Sequence, residues 1–515
     1  MNESSDNITT VNEIKDEILI KHYYKLIEKG EIEFLKEMDS FNINDEELDD
    51  ESKYKDINDK KLVQILKDLI IDVKKDEDQE KLRILKLKKK VFQKLWPNFV
   101  RSAIKYLRIK DTRDKCEFKF DFGVKNLTKY FEEFSKFEEI LYGVDEYYRD
   151  HSLHVFRVYL LGEYLGRKLL KGFDQLKITT KSLGINDNII YDEKEAIWCV
   201  IALCHDLGYP LQKLDQLNKK LVKILEFFGT SNFNPLRYSL PLEGTILDKF
   251  ILKLISSRIN EKLKIQHQPK FYAKYSKAYE KLSHGIMSCI LLMKNLVYFK
   301  ETDYEPEFEK GYHYEEKSKN NSAEKGGKEF SDETLEDARQ YVIRREILRS
   351  IASHDNEDIY HIEMNNFPFL LIMCDEIQEW SRPASKIRFS YLSDPKNIEN
   401  IQIKAFNENN IDISIGLNFP DKDLLDYAAN KYMRFIRLLR SAVHSDRRLF
   451  NFKMSIENNK GTKYQFIYDS PVEFYSDEKK NKKEDSYKSP KCIEFKNGYE
   501  DPDFLRNIIE MINKK

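Results

Sequence analysis

The run CVIALCHDLGYPLQKL, Cys199 to Leu214, sets a histidine and an aspartate side by side at the close of an almost wholly apolar stretch. An imidazole and a carboxylate at the edge of a core are costly to desolvate unless a charge or a hydrogen-bonding group receives them. The apolar residues of AIWCVIALC favour a buried helix, and LGYP supplies its stop: Gly208 is placed to take the left-handed position after the helix, and Pro210 cannot continue it. His205 and Asp206 then fall in the last turn. Adjacent helical residues point about 100° apart, yet from a terminal turn both side chains can converge on one ion beyond the helix end. A divalent cation is the natural occupant.

The chain has 10 histidines, and several others stand in similar settings. His151, in RDHSLHVFRVYLLG, is followed on its own face by Val155 and Val158, which turns the imidazole toward a core and makes it a second ligand candidate. His154 lies one turn on, placed to replace it as ligand or to approach a substrate phosphate. His284 precedes the apolar helical stretch of SHGIMSCILL, and His354 closes the amphipathic one of REILRSIASHDNED. Asp375, in FPFLLIMCDEIQEW, shares a helix face with Leu371 and Ile372, where an unpaired carboxylate would be expensive, whereas Glu376 and Glu379 can point outward. Cys204 and Cys374 directly precede candidate ligands but point elsewhere on a helix, as buried small hydrophobes. His22, His267, His313, His361 and His444 sit in polar or unpatterned surroundings and read as surface residues.

A histidine, then a His-Asp doublet, then a distant aspartate, here His151, His205 with Asp206, and Asp375 in the contexts DHSLHV, ALCHDLGYP and LIMCDEIQEW, resembles the HD-domain superfamily of metal-dependent phosphohydrolases. The dipeptide alone is a weak signal, since His354-Asp355 repeats it; the ordered set from about Asp145 to Arg382 carries the resemblance. It implies a helical domain with His205 and Asp206 at the catalytic centre. His284 and His354 look like the additional ligands of the two-metal members, in which Asp206 would be the bridging ligand. Imidazole and carboxylate ligands without thiolates fit one or two ions of Mn, Fe, Co, Ni or Mg better than a structural zinc site. Such an ion polarises a phosphoryl oxygen and lowers the pKa of its water, by as much as from 15.7 to about 7 in the zinc case. Hydrolysis of a phosphoester or phosphoanhydride bond of a nucleotide or cyclic (di)nucleotide is the expected activity, that of a phosphodiesterase or nucleotide phosphohydrolase.

A polyanionic substrate also needs fixed cations. Arg149, Arg157, Lys213 and Arg382 lie near the motifs and are candidates, and Tyr209 is placed to stack on a base or hydrogen-bond a phosphate. A different class of function uses the same residues: a nucleotide-sensing HD module without turnover that signals to the C-terminal part of the chain.

The elements that must position these residues are mostly helical. The chain of 515 residues is 41% hydrophobic and 34% charged, enough for sizeable cores, and 87 Lys and Arg against 89 Asp and Glu leave a net charge of -2. Balanced charge favours a small nucleotide over a nucleic-acid polymer. Three regions are expected. Residues 1–125 form a helical N-terminal region with an acidic linker, DSFNINDEELDDESKYKDINDKK; residues 126–390 form the HD-type helical bundle, interrupted by a polar insertion at about 301–332. Ser331 is a weak N-cap candidate at the end of that insertion. Residues 391–515 change rhythm: IQIKAF, IDISIGLNF, FNFKMSI and YQFIYD alternate as half-buried strands around the amphipathic DLLDYAANKYMRFIRLLRSAV, predicting a small two-layer α/β module. Six cysteines without a CxxC pair and an N-terminus without a signal-peptide pattern predict a reduced, cytoplasmic protein, and no apolar run approaches the roughly 18 residues of a membrane span. The terminal regions are candidate surfaces for a homo-oligomer.

Overall fold

The structure is a computed structural model; it describes residues 13–36, 59–69, 78–109, 124–144, 149–168, 191–227, 242–259, 265–300, 332–356, 365–380, 397–406, 410–418, 427–435 and 450–470, with isolated positions 176, 178, 382, 424, 438 and 439. The acidic linker, the polar insertion, Ser331, His313, His361 and His444 lie outside the described residues.

Chain order begins with α1 (Asp16–Glu28), α2 (Glu33–Lys36), α3 (Asp59–Asp68), α4 (Asp78–Ile109), α5 (Val124–Val144) and α6 (Ser152–Lys168). It continues with α7 (Tyr191–Cys204), α8 (Tyr209–Glu226) and α9 (Leu242–Ile255), a two-stranded ladder of β1 (Ser257–Ile259) and β2 (Ile265–His267), then α10 (Pro269–Glu280), α11 (His284–Asn295), α12 (Val297–Lys300), α13 (Asp332–Ser353) and α14 (Phe367–Ile377). The fold is mainly helical, as expected. No helix among the described residues is long and apolar enough to cross a membrane.

α7 sits at the centre because it has no polar face left to show: every residue from Ala196 to Cys204 is buried. A helix that is apolar all round must be enclosed by others, and here α4, α6 and α13 surround it. Its C-terminal carbonyls, which have no partners within the helix, are received one by one. Trp96 Nε1 donates to the Leu203 carbonyl at 2.8 Å and His205 Nδ1 to that of Ala202 at 2.8 Å, and in the turn that follows the Tyr130 hydroxyl donates to the Leu207 carbonyl. The end of α7 is thereby held rigidly, and with it the His-Asp doublet.

A second anchor is Asp16, buried at the start of α1. Its carboxylate receives Arg157 Nε and Nη2, both at 2.8 Å, and Trp380 Nε1 at 2.9 Å, with Lys88 Nζ at 3.4 Å. Four segments thus meet on one acid whose pKa, despite a burial that pushes it up, is held well below the carboxylate range by Arg157 and Lys88. Arg157 is therefore spent on structure and is not a phosphate ligand, a correction to the sequence expectation. His22 is corrected as well: it is half-buried, with its ring edge-on to Tyr164 at 5.0 Å.

The C-terminal strands form as the alternation predicts. β3 (Asn397–Phe406), β4 (Asn410–Asn418), β5 (Phe450–Asn458) and β6 (Lys463–Ser470) make one sheet in sequence order, with outer pairs antiparallel and β4–β5 parallel. A parallel pair requires a crossover, and the helix at 427–435 lies between those two strands. The register aligns Ile403, Ile413, Met454 and Phe466 in one buried row, and Tyr432 of the crossover helix stacks on Phe466 at 5.1 Å.

This sheet layer is tied to the helical body beside Asp375. Glu376 accepts from Lys431 and from Arg434 at 2.9 Å, and Glu379 pairs with Lys431 and accepts from the Tyr427 hydroxyl at 2.8 Å. Both glutamates were expected to point outward; they point away from the histidines but into this contact. Burial raises the pKa of Glu379, but Lys431 and Arg149 outweigh it and bring it from 4.5 to about 2. Because the folded pKa is the lower one, the contribution, about 3 kcal/mol, is complete above the unfolded value and is lost as pH falls toward 2. Glu379→Gln should therefore lower stability at neutral pH, and the gap to wild type should shrink as pH drops from 4.5 to about 2 in urea titrations. A gap that stays constant across that range would contradict the ion-pair assignment.

Candidate metal centre

His205 and Asp206 stand in the turn between α7 and α8. Gly208 closes that turn with φ -79°, in the ordinary right-handed region, and Pro210 belongs to the first turn of α8. The expected left-handed glycine is thus corrected. The reason for glycine is proximity: a Cβ there would lie 2.2 Å from the His284 carbonyl oxygen and 2.6 Å from Met287 Cβ. Ser288 of α11 completes the clamp, accepting from Gly208 N–H at 2.8 Å while its hydroxyl lies 2.7 Å from the His205 carbonyl. Doublet and His284 are thereby locked to one another.

His354 repeats the geometry of His205 at the end of α13, its Nδ1 donating to the Ile351 carbonyl at 2.7 Å. His284 begins α11, and its Nδ1 faces Gln212 Oε1 at 2.8 Å and Asp355 Oδ2 at 3.1 Å. His154 Nδ1 faces Gln378 Oε1 at 2.5 Å, an orientation fixed by Gln378 Nε2 donating to the Trp380 carbonyl at 3.0 Å. In all four rings the partner of Nδ1 is an oxygen that can only accept. Nδ1 of each ring therefore carries a proton, which leaves Nε2 as the nitrogen turned toward the cluster.

Those four Nε2 atoms converge on carboxylates. Asp206 Oδ1 is 3.4 Å from His284 Nε2 and 3.4 Å from His354 Nε2; Oδ2 is 3.4 Å from His205 Nε2 and 3.8 Å from His154 Nε2. Asp375 Oδ1 lies 2.8 Å from His154 Nε2 and 3.9 Å from His205 Nε2, and the two Nε2 atoms of His284 and His354 are 2.9 Å apart. Acceptors facing acceptors at these distances repel unless a proton or a metal cation lies between them. His205 Nε2 is buried with no hydrogen-bond donor. Ligand atoms of His154, His205 and Asp375 all fall within 4.8 Å of one another, as do those of His205, Asp206 and His354, two groups that could each hold a metal ion.

Burial, which disfavours charge, lowers the pKa of His205 to about 4 and that of His151 well below the ordinary range. Burial also opposes ionisation of Asp206 and Asp375, but the imidazoles around them, His205 and His354 for Asp206 and His154 for Asp375, prevail and hold both acids low. His354 goes the other way: against the effect of burial, its bond to Asp206 and the charge of Asp355 raise it to about 9. One proton on His354 satisfies the His284–His354–Asp206 corner and leaves His205 without a donor.

His205, Asp206, His284, His354 and Asp375 are thus brought together. His154 joins them, in the ligand position the sequence reading allowed it, while His151 stands beside the cluster, its ring stacked on Tyr209 at 3.7 Å and its backbone N–H held by Glu138 at 2.7 Å. Lys213 Nζ lies 5.4 Å over the Tyr209 ring. Arg382 Nε donates to the Asp150 carbonyl at 3.1 Å, with Asp375 and Asp206 among the charges acting on it; Arg149 Nε donates to the Arg382 carbonyl at 3.2 Å. Cys204 and Cys374 are buried free thiols whose pKa burial raises, as expected of small hydrophobes.

Four positioning residues had not been singled out. Gln212 and Gln378 carry no sequence signature. Ser288 reads as an ordinary helical serine. Asp355, which also accepts from the Ser283 hydroxyl at 2.6 Å and the Gly285 N–H at 3.3 Å, was visible only as half of the second His-Asp dipeptide. No protein-family model, no curated protein and no solved structure matches this chain.

Gly208→Ala tests the clamp. The added methyl has no room, so a destabilisation of about 1 to 3 kcal/mol is expected from denaturant midpoints. A neutral or stabilising result would refute the close approach of the doublet turn to α11.

Proposed function

We propose that this chain is a metal-dependent phosphohydrolase of the HD type, hydrolysing a phosphoester or phosphoanhydride bond of a nucleotide or cyclic (di)nucleotide. The observation that carries the reading is the set of four Nε2 atoms aimed at Asp206 and Asp375, with His205 Nε2 left buried and without a donor even when His354 is protonated. Divalent ions such as Mn, Fe, Co, Ni or Mg suit this donor set, and when bound they supply Lewis acidity and a water acidic enough to deprotonate near neutral pH.

The chain's own residues divide the work. Asp206 turns one oxygen toward His284 and His354 and the other toward His205 and His154, so it would serve as a ligand on both sides. Asp375 completes the ligand set on the His205 and His154 side. Backbone carbonyls, Gln212, Gln378 and Asp355 hold the Nδ1 protons outward, which fixes the tautomers that binding needs. Arg382, Arg149 and Lys213 offer positive charge to substrate phosphates, and Tyr209 with His151 an aromatic pair to its base.

A second reading, a nucleotide sensor without turnover, draws on the contact of Glu376 and Glu379 with the C-terminal α/β layer one to four residues after Asp375. Purified protein assayed with manganese against a panel of nucleotides and cyclic (di)nucleotides separates the two. Turnover that His205→Ala and Asp206→Ala abolish is the expected result. Tight nucleotide binding without any turnover would favour the sensor, and neither binding nor turnover would refute both. Metal binding must also displace the proton from His354, so affinity should climb with pH up to about 9 and level off above it. Calorimetric titrations showing no pH dependence would contradict His354 as a ligand.

A further inference from the structure

α13 carries four buried arginines, and two of them are not compensated. Arg339 pairs with Glu193, and the Arg344 guanidinium lies over the Tyr298 ring at 4.6 Å. Arg345 and Arg349, 4% and 9% exposed, stand one turn apart on the same face of the helix. Arg345 Nη2 donates to the Ile178 carbonyl at 3.3 Å and comes no nearer than 3.8 Å to Glu346; its Nε meets no acceptor. Arg349 hydrogen-bonds the Tyr275 hydroxyl, but its Nε and Nη2 are buried without acceptors.

The energetic problem is specific. Two guanidinium charges face each other inside the protein with one carboxylate at salt-bridge distance among the described residues, and three of their N–H groups meet no acceptor there. Uncompensated buried charge of this kind costs several kcal/mol, roughly, and each unmade bond from a charged donor adds to it. Guanidinium forks match the oxygens of carboxylate or phosphate. Three unmet donors from two side chains suit a tetrahedral oxyanion, which offers acceptor oxygens in more than one plane, better than a single planar carboxylate.

We propose that Arg345 and Arg349 form an internal site for a phosphate-type oxyanion, flanked by the Tyr275 hydroxyl and separate from the histidine and aspartate cluster. Its occupant neutralises the excess charge and braces the end of α13. That end matters: the Ser353 hydroxyl donates to the Arg349 carbonyl at 2.5 Å and lies 3.4 Å from the Tyr275 hydroxyl, directly before His354. Anion occupancy therefore supports the turn that carries one of the candidate metal ligands.

Inorganic phosphate is the probe. Equilibrium dialysis with labelled phosphate, in EDTA and on an Asp206→Asn background so that the metal centre contributes nothing, should show saturable binding to the full chain. Arg349→Lys and Arg345→Lys, which keep the charge but lose the fork, should each weaken it by about tenfold or more, since a charge-assisted bond is at stake. Melting of the unsubstituted protein in EDTA gives a readout that needs no variant: its Tm should rise when phosphate replaces chloride at constant ionic strength. The site is refuted by an absence of saturable binding, by binding that both lysine variants retain in full, or by a Tm indifferent to phosphate. None of these outcomes bears on turnover at the metal centre, so the two proposals fail independently.

Discussion

Each of four imidazoles spends its Nδ1–H on an oxygen behind it and so turns Nε2 toward its neighbours. The rest of the site follows from that constraint. His154, His205, His284 and His354 surround two carboxylates that only accept, so the cluster holds more acceptors than donors. The proton that His354 takes up is a partial substitute, satisfying one corner and leaving His205 Nε2 bare. On the proposed reading, a divalent ion is the group that satisfies the whole.

The fold is arranged to keep those orientations. Two of the histidines follow helix C-termini and return Nδ1 to the carbonyl three residues back, so the helix end supplies the acceptor that sets the tautomer. The other two take side-chain acceptors, Gln212 and Asp355 for His284 and Gln378 for His154. Ser288 and the missing side chain of Gly208 bring the α7–α8 turn against α11, while Asp16 draws α1, α4, α6 and Trp380 together below it. Asp375 stands where the helical body meets the C-terminal sheet layer, with the Glu376 and Glu379 contacts to Lys431 immediately behind it.

Much of this was legible in the sequence because it depends on local pattern. An unbroken apolar run announces a central helix, a charged doublet at its end announces a site, and period-two alternation gave all four strands of the C-terminal sheet. His284, His354 and Asp375 were legible for the same reason: each interrupts or borders an apolar helical face. What stayed hidden depends on contacts between distant segments. Nothing in the spacing of His151 and His154 says which ring enters the cluster and which stacks on Tyr209. Arg157 looks like a phosphate ligand until Asp16, far away in sequence, occupies both of its nitrogens. Gly208 looks like a helix stop, whereas its conformation is open to any residue and the neighbouring α11 backbone is what excludes a side chain.

The most direct test is metal content after saturation with manganese and gel filtration, compared between wild type, His284→Ala and Asp206→Ala. A cation-centred cluster predicts bound manganese in wild type, a reduced amount in His284→Ala, and the largest loss in Asp206→Ala, because that carboxylate faces both imidazole pairs. Wild-type protein that retains no metal at a pH where His354 is neutral, or Asp206→Ala protein that retains the full wild-type amount, would contradict it.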